Sequence, residues 1–112
     1  MTKKSFPKRG DIVWFNFSPQ AGHEQAGKRP ALVLSEQPFQ KATGLALICP
    51  ITSRVRGHGF EVPLTKNMKT QGVVLCQQVR TLDLEERLGR FIEKASDSVL
   101  ERALHIIRIL VS

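Results

Sequence analysis

Residues 10–17 read GDIVWFNF, and this stretch indicates the class of fold more directly than any other part of the sequence. Residues 12–15 are all β-branched or aromatic, and such side chains favour strands because they pack well on a pleated surface. The turn-like sequence Arg-Gly-Asp at residues 9–11 comes directly before them. The sequence therefore predicts a strand over residues 12–17.

Further short apolar runs follow along the chain, and turn-forming residues separate them. They predict strands over residues 31–34, 45–49, 59–64, 73–79 and 88–92. Weaker helical turns are predicted over residues 36–42 and 84–87. Short strands at close spacing, with helices inserted late, are typical of a small curled antiparallel sheet or a partly closed barrel.

One longer helix is predicted near the C-terminus. Ser98 and Glu101 have the spacing of a capping box, and Asp97 adds negative charge at the positive end of the helix dipole. Apolar residues then recur at helical spacing along one face: Leu100, Ala103, Leu104, Ile107 and Leu110. We expect this face to be buried against the sheet or against a second subunit.

Length and composition limit the class of protein. With 112 residues, 41% of them hydrophobic, the chain is expected to form a single domain over residues 1–112. No apolar run approaches the about 20 residues of a membrane-spanning helix, and no apolar stretch follows the basic N-terminus. Cys49 and Cys76 lie inside apolar runs, which predicts buried thiols and no metal site. We therefore expect a cytoplasmic protein that does not bind a membrane.

The net charge of +7 is distributed unevenly along the chain. Eleven Lys or Arg stand against four Asp or Glu up to Gly72, whereas six stand against six from Val73 onward. The excess falls mostly in segments that resemble loops. A one-sided positive field of this kind favours a polyanionic partner, nucleic acid first, because binding releases condensed counterions.

The loop between the first two predicted strands, residues 18–28, contains the first group of candidate functional residues. His23, Glu24, Lys28 and the following Arg29 supply an imidazole, a carboxylate and two cations. Arg29 and Pro30 directly precede a predicted strand, a placement that restricts the guanidinium and leaves it available for phosphate. A solvated loop without a function is the alternative interpretation of the same composition.

Two further candidates follow the strand predicted to begin at residue 45. The hydroxyls of Thr52 and Ser53 either bind a phosphate oxygen or satisfy their own backbone in a turn. The next residues form a basic, glycine-containing loop, in which Arg54 and Arg56 offer cations and Phe60 offers a ring for stacking on a base. A solvated loop beside a core phenylalanine is the alternative.

Gln77 and Gln78 are unusual because they lie within a run predicted to be a strand and are flanked by apolar residues. Side-chain amides are costly to bury without hydrogen-bond partners. The pair therefore indicates either a structural amide network or a surface that forms hydrogen bonds with base edges.

These segments together resemble the MazF/PemK family of toxin endoribonucleases, which also includes Kid and ChpB. The similarity runs in order from Arg9 to about Asp83 through the segments GDIVWF, GHEQAGKRPALVLS, CPITS, GFEVPL and GVVLCQQVRTLDL. Single segments such as GDIV are weak signals. Glu24-Gln25-x-Gly27-x-Arg29-Pro30 followed by Ile51-Thr52-Ser53 is specific.

The resemblance implies a mainly β fold with added α structure, namely an SH3-like small barrel of antiparallel strands with a C-terminal helix. It implies a homodimer that cleaves single-stranded RNA at short motifs without a metal or another cofactor. It also implies a cognate antitoxin whose extended acidic segment blocks the RNA groove. By position, Arg29 and Thr52 match the catalytic pair of the family, and Glu24 matches a residue tied to activity. The expected RNA-binding residues are His23, Lys28, Ser53, Arg54, Arg56, Phe60, Gln77 and Gln78.

Metal-free cleavage uses the 2′-hydroxyl of the RNA as nucleophile and is expected to leave a 2′,3′-cyclic phosphate and a 5′-hydroxyl. Arg29 is expected to stabilise negative charge that develops on the phosphate, and Thr52 to hold a non-bridging oxygen. Glu24 is favoured as the general base, and His23, which titrates near neutral pH, is the alternative.

One departure from the family bears on this mechanism. Some members have an arginine at the position of Leu75 and an acidic residue at that of Gln77, proposed there as acid and base. This chain lacks both groups. Two other classes of function also compete, namely a toxin of the CcdB type that poisons gyrase by protein contact and an RNA-binding module without activity.

Overall fold

The computed structural model describes residues 5–18 and 27–112. In these ranges the strands are β1 (Asp11–Asn16), β2 (Lys28–Val33), β3 (Leu45–Thr52), β4 (Glu61–Pro63), β5 (Val73–Leu75), β6 (Arg80–Asp83) and β7 (Leu88–Lys94). The helices are α1 (Gln37–Thr43), α2 (Leu84–Arg87) and α3 (Asp97–Val111), and a short 3-10 turn covers Cys76–Gln78. The mainly β prediction with a C-terminal helix is confirmed.

The strands form one antiparallel sheet, in which β3 has the most neighbours. Its order is β4-β5-β3-β2-β1-β7, and β6 lies beside β3. β3 pairs with β6 near its beginning and with β5 at its end, where Thr52 faces Val73. The strand was expected to stop before Pro50, but it continues to Thr52 and Pro50 pairs with Ala31. This extension brings Thr52 into the sheet and leaves Ser53 just beyond its edge.

The central strands are buried on both faces, and alternate side chains belong to different cores. One core contains Ile12, Leu32 and Cys49, and α3 packs on it through Val99, Ala103 and Ile106. The other core lies on the opposite face and contains Val13, Phe15, Ala31, Val33, Ile48 and Leu82. Burial on both faces explains why these strands read as continuous apolar runs. None of the described helices is long and apolar enough to cross a membrane.

Two details of the predicted C-terminal helix were wrong. Ser98 is not the N-cap, because the helix begins at Asp97 and the capping position belongs to Ser96. The face with the deepest burial consists of Val99, Ala103 and Ile106, whereas Leu110 is exposed. The reason is that the helix packs on the sheet through a face that is rotated around the helix axis from the predicted face. Leu100, Leu104 and Ile107 pack at the edge of the buried face.

The strand predicted over residues 73–79 was also wrong in its second half. β5 ends at Leu75, the 3-10 turn follows, and the chain then enters β6, which the sequence did not predict. Gln77 and Gln78 therefore lie in a turn rather than in a strand. Apolar runs do not distinguish one strand from two strands joined by a tight turn, which accounts for the error.

Candidate functional site

A cleft of about 390 Å³ lies where β1, β2 and β7 meet the end of β3 and the loop between β4 and β5. Its lining combines cations, hydroxyls and apolar side chains: Trp14, Lys28, Arg29, Pro30, Ile51, Ser53, Lys69, Thr70, Gln71 and Ile92. Among these lining residues there are three cations and no carboxylate. Such a lining favours an anionic ligand with an apolar or aromatic portion.

β2 positions the two cations at the back of the cleft. Lys28 and Arg29 are its first two residues, and Arg29 pairs with Phe15 of β1, whose side chain is buried in the core. The Arg29 side chain is half-buried. The prediction that Arg29 stands at the start of a strand is confirmed, and the rigid backbone limits the positions that its guanidinium can reach.

The loop between β4 and β5, residues 64–72, contributes Lys69, Thr70 and Gln71 to the cleft and is tied to β7 by Glu93. One carboxylate oxygen of Glu93 accepts a hydrogen bond from the Lys69 backbone N–H at 3.0 Å. The other accepts from the Thr70 backbone N–H at 2.6 Å and from Thr70 Oγ1 at 2.7 Å. Burial by itself raises the pKa of the Glu93 carboxyl, but these bonds outweigh that effect and hold the pKa below its usual range.

The same loop is pressed against the end of β3 at Gly72. Gly72 has a φ of +113°, and a Cβ built on it would lie 2.1 Å from the carbonyl oxygen of Thr52. The loop closes on itself through a hydrogen bond from the Leu64 N–H to the Gly72 carbonyl at 3.0 Å, and Met68 is buried beneath it. Only glycine allows this approach, which fixes one end of the loop that brings Lys69 to the cleft.

Thr52 and Ser53 have different environments. Ser53 is exposed and lines the cleft. Ile51, on the other side of Thr52, is buried but also lines the cleft. Thr52 is buried, and its Oγ1 accepts a hydrogen bond from the Arg54 N–H at 3.1 Å. This contact is the backbone turn that the sequence left as an alternative to phosphate binding. Thr52 itself is not among the residues that line the cleft.

The other predicted contacts that the structure describes lie on the loop between β3 and β4 and in the 3-10 turn. Arg54, Arg56 and Phe60 are exposed on the loop between β3 and β4. The Gln77 side chain reaches this loop, with its Nε2 3.2 Å from His58 Nε2, and Gln78 is half-buried. His23 and Glu24 lie outside the described residues.

Sequence reasoning missed five residues of the cleft, and one of them, Ile92, was assigned only to a predicted strand. Trp14 was assigned only to a strand, although its side chain is partly exposed on the cleft wall. Lys69, Thr70 and Gln71 belong to a polar segment between two strands and carry no motif. The only available signals were the basic charge of the segment up to Gly72 and the glycine that closes it.

The two cysteines are buried and not bonded to each other, as predicted. A hydrogen bond between the two thiols, together with burial, raises the pKa of Cys49, so that this thiol stays protonated at neutral pH. Within residues 5–18 and 27–112, no three His, Cys, Asp or Glu side chains come together as a metal site would require.

Comparison with known proteins identifies relatives over nearly the whole chain. The sequence profile of a family described as PemK-like, MazF-like toxin of type II toxin–antitoxin system matches residues 8–111. The endoribonuclease toxin ChpB of Escherichia coli (strain K12) is 47% identical, and the alignment covers 99% of both chains.

Solved structures give the same result. The crystal structure of MazF from Deinococcus radiodurans superposes with a TM-score of 0.91 at 42% identity, covering 96% of this chain and 98% of that chain. A MazE–MazF complex from the same organism gives a TM-score of 0.83 at 41% identity, covering 96% and 97%. These likenesses are consistent with the small barrel expected from the sequence.

Proposed function

Because this chain belongs to the PemK-like, MazF-like toxins of type II toxin–antitoxin systems, we propose that it is an endoribonuclease that cleaves single-stranded RNA. Cleavage of messenger RNA would stop translation and growth. We further propose that residues 1–112 act as a single toxin domain in the cytoplasm.

The observation that carries this proposal is the cleft that Lys28, Arg29 and Lys69 line together, with no carboxylate among the lining residues. Each phosphate of RNA carries one negative charge, and three cations that line one cleft attract the backbone. Trp14 and Ile92 offer apolar surface on which a sugar or base packs. The combination suits an RNA strand better than a small neutral ligand.

In the proposed reaction the 2′-oxygen of the RNA attacks the adjacent phosphorus and its proton passes to a general base. The bond from phosphorus to the 5′-oxygen then breaks, and that oxygen takes up a proton. The products are a 2′,3′-cyclic phosphate and a 5′-hydroxyl. No metal or cofactor takes part in this proposal.

Arg29 is the proposed stabiliser of charge on the phosphate, because it lines the cleft on a rigid strand. A preorganised donor of this kind lowers the free-energy barrier of the reaction by about 3–4 kcal/mol. Thr52 is proposed to donate its hydroxyl hydrogen to a non-bridging oxygen while Oγ1 accepts from Arg54. Glu24 is the proposed general base, and His23 is the alternative.

The proposed RNA-binding residues fall into two sets. Lys28 and Ser53 line the cleft beside Arg29. The others extend the path of the RNA over the adjoining loops: His23, Arg54, Arg56, Phe60, Gln77 and Gln78. Leu75 is buried and Gln77 is exposed, and neither side chain titrates, so the acid and base proposed at these positions in some relatives are not used here.

The partners follow from the same chemistry. A cleft and loops with this many cations also attract an acidic peptide, so we propose a cognate antitoxin with an extended acidic segment that competes with RNA. A structure of MazE with MazF from Deinococcus radiodurans supports this assignment. We also propose that the chain forms a homodimer.

The decisive experiment is incubation of the purified protein with mixed-sequence single-stranded RNA in excess EDTA, followed by mapping of the cut sites and end groups. Cuts at one short motif with cyclic-phosphate ends, lost in Arg29→Ala, are the expected result. Arg108→Ala is the matched control, because Arg108 lies on α3 and outside the cleft lining. A 5′-phosphate and a 3′-hydroxyl at the cut would refute the mechanism.

The same experiment separates the competing functions. Intact RNA, with inhibition of gyrase by the protein, would favour a toxin that acts by protein contact. RNA that binds but stays intact, with Arg29→Ala reducing only affinity, would favour a simple binding module.

A further inference from the structure

Glu61 is a buried carboxylate that has no place in the mechanism proposed above. It is the first residue of β4 and pairs with Leu75 of β5. Only 2% of its side chain is accessible to solvent. An ionised carboxylate is costly to bury unless other groups satisfy it, so its partners indicate what it does.

Those partners are backbone amides of the loop between β3 and β4. Oε1 accepts hydrogen bonds from the N–H of Arg56 at 3.1 Å and from the N–H of Gly57 at 2.8 Å. Oε2 lies 3.1 Å from the same Arg56 nitrogen. Two successive backbone amides thus converge on one carboxylate. Gly57 has a φ of +84°, which allows the chain to turn around it.

His58 continues this network to the 3-10 turn. Its Nε2 lies 3.6 Å from Glu61 Oε2 and 3.2 Å from Gln77 Nε2, and its Nδ1 accepts a hydrogen bond from the Phe60 N–H at 3.3 Å. Its ring also contacts the Phe60 ring, with centroids 5.9 Å apart. The carboxylate is therefore connected to Phe60 and Gln77, two of the proposed RNA contacts.

Hydrogen bonds of backbone N–H groups hold the two ends of the loop, from the Cys76 N–H to the Phe60 carbonyl at 3.1 Å and from the Arg54 N–H to Thr52 Oγ1 at 3.1 Å, whereas packing does not hold its middle. Every residue from 53 to 60 is exposed, so no buried side chain of the loop anchors it to the core. Without such packing, an exposed loop samples many conformations, and ordering it on binding reduces affinity. The hydrogen bonds to Glu61 are made before any ligand arrives.

We infer that Glu61 is a positioning residue, whose buried carboxylate holds the backbone of residues 56–58 and so presets where Arg54, Arg56 and Phe60 meet the RNA. This inference rests on the proposed RNA-cleaving function. Because Glu61 is buried beneath the loop, it acts through the loop and not by contact with RNA. Its removal therefore weakens binding and leaves the chemical step at Arg29 in place.

The test is Glu61→Gln, which keeps the size of the side chain but turns one acceptor into a donor that faces backbone N–H groups. The expected result is a rise in KM for RNA of about tenfold, or about 1.4 kcal/mol, with kcat changed less than about twofold. Glu36→Gln is the matched control, because Glu36 is an exposed carboxylate that pairs with Arg9 far from this loop. It is expected to leave both constants unchanged.

A second variant covers the case in which Glu61→Gln does not fold. Gly57→Ala leaves the carboxylate intact, and the added Cβ meets no atom within 4 Å, so it disturbs only the backbone conformation. It is expected to raise KM in the same direction. Unchanged KM in whichever variants fold, or a loss confined to kcat, overturns the inference.

An independent measurement separates this inference from the proposed function. Hydrogen exchange of the Arg56 and Gly57 amides, followed by NMR without RNA, is expected to be at least about tenfold faster in Glu61→Gln than in the native protein. If the native protein leaves RNA intact, the proposed function fails while the exchange result still tests whether Glu61 holds the loop. Equal exchange rates in the two proteins would refute the holding role.

Discussion

Replacement of Gly72 by alanine tests whether the contact between the 64–72 loop and the end of β3 supports both stability and catalysis. In Gly72→Ala the new Cβ would lie 2.1 Å from the Thr52 carbonyl oxygen, 2.8 Å from its carbonyl carbon and 2.9 Å from Ser53 Cα. All three are backbone atoms, so no side chain can rotate away to make room. Either β3 or the loop must move by about 1 Å, because Cβ atoms essentially never lie within 3.0 Å of another heavy atom.

Two effects set the magnitude. A non-glycine residue at a φ of +113° costs about 1–3 kcal/mol, and overpacking of a fixed backbone costs about another 1–3 kcal/mol. A loss of 2 kcal/mol lowers the Tm of a domain of about 100 residues by roughly 8–16 °C. We expect a decrease of at least this size in thermal unfolding followed by circular dichroism.

Gly44→Ala is the matched control. Gly44 also has a positive φ, +74°, but a Cβ there meets no atom within 4 Å. Gly44→Ala should lose only about 1–2 kcal/mol of stability, which is the cost of placing a non-glycine residue at a positive φ. Equal losses in the two variants would refute the claim that the contact with Thr52 matters.

The activity of Gly72→Ala is the second readout. Movement of the Thr52 backbone by about 1 Å displaces a proposed catalytic hydroxyl, and displacements of that size cost about 100-fold in rate. Cleavage assays are to be run well below the Tm, so that the variant is folded. Native kcat in a destabilised but folded Gly72→Ala would show that Thr52 does not need this placement.

Other predictions concern Glu93, Lys69 and Phe15. Because the folded pKa of Glu93 lies below the ordinary value of about 4.3, its contribution to stability is present above that pH and is lost as the pH falls towards the folded pKa. The free energy of unfolding, measured with urea from pH 6 to pH 2, should therefore fall less steeply in Glu93→Gln than in the native protein. Equal pH profiles in the two proteins would contradict this. Lys69→Ala should weaken binding of all RNA sequences alike and reduce the slope of log K against log salt by about 0.7, whereas a change in sequence preference would contradict a phosphate contact. Phe15→Ala should destabilise the fold by about 3–5 kcal/mol in urea unfolding, because the ring is 1% exposed in the core, and a loss below about 1 kcal/mol would contradict that packing.

Much of the site followed from local sequence. Arg29 and Pro30 directly before an apolar run indicated a strand start, and β2 does position Arg29 there. The Thr52-Ser53 pair indicated either phosphate binding or a backbone turn. The structure shows the turn at Thr52 and exposes Ser53 to the cleft. A local pattern cannot separate these two hydroxyls, because the difference between them depends on the strand that pairs beside them.

The errors share one cause. The 3-10 turn at Cys76–Gln78 interrupts an apolar run because the chain must leave β5 and join β3 again through β6. The α3 stripe is rotated because the sheet, and not the helix, determines which side chains are covered. Periodicity reports the preferences of a segment and contains no information about its neighbours.

The sequence by itself determined the mainly β class, the positions of most strands along the chain, the buried cysteines and the family, because these depend on residue type and on short motifs. Only the tertiary structure decided that Lys69 lines the same cleft as Arg29 and that Glu61 lies beneath an exposed basic loop. The first arrangement requires Glu93 to reach Thr70, 23 positions away in the chain, across the sheet. The burial of Glu61, in turn, requires β4 to pair with β5. Contacts of this kind are made by the fold, and a charged residue in the sequence looks the same whether it is solvated or buried.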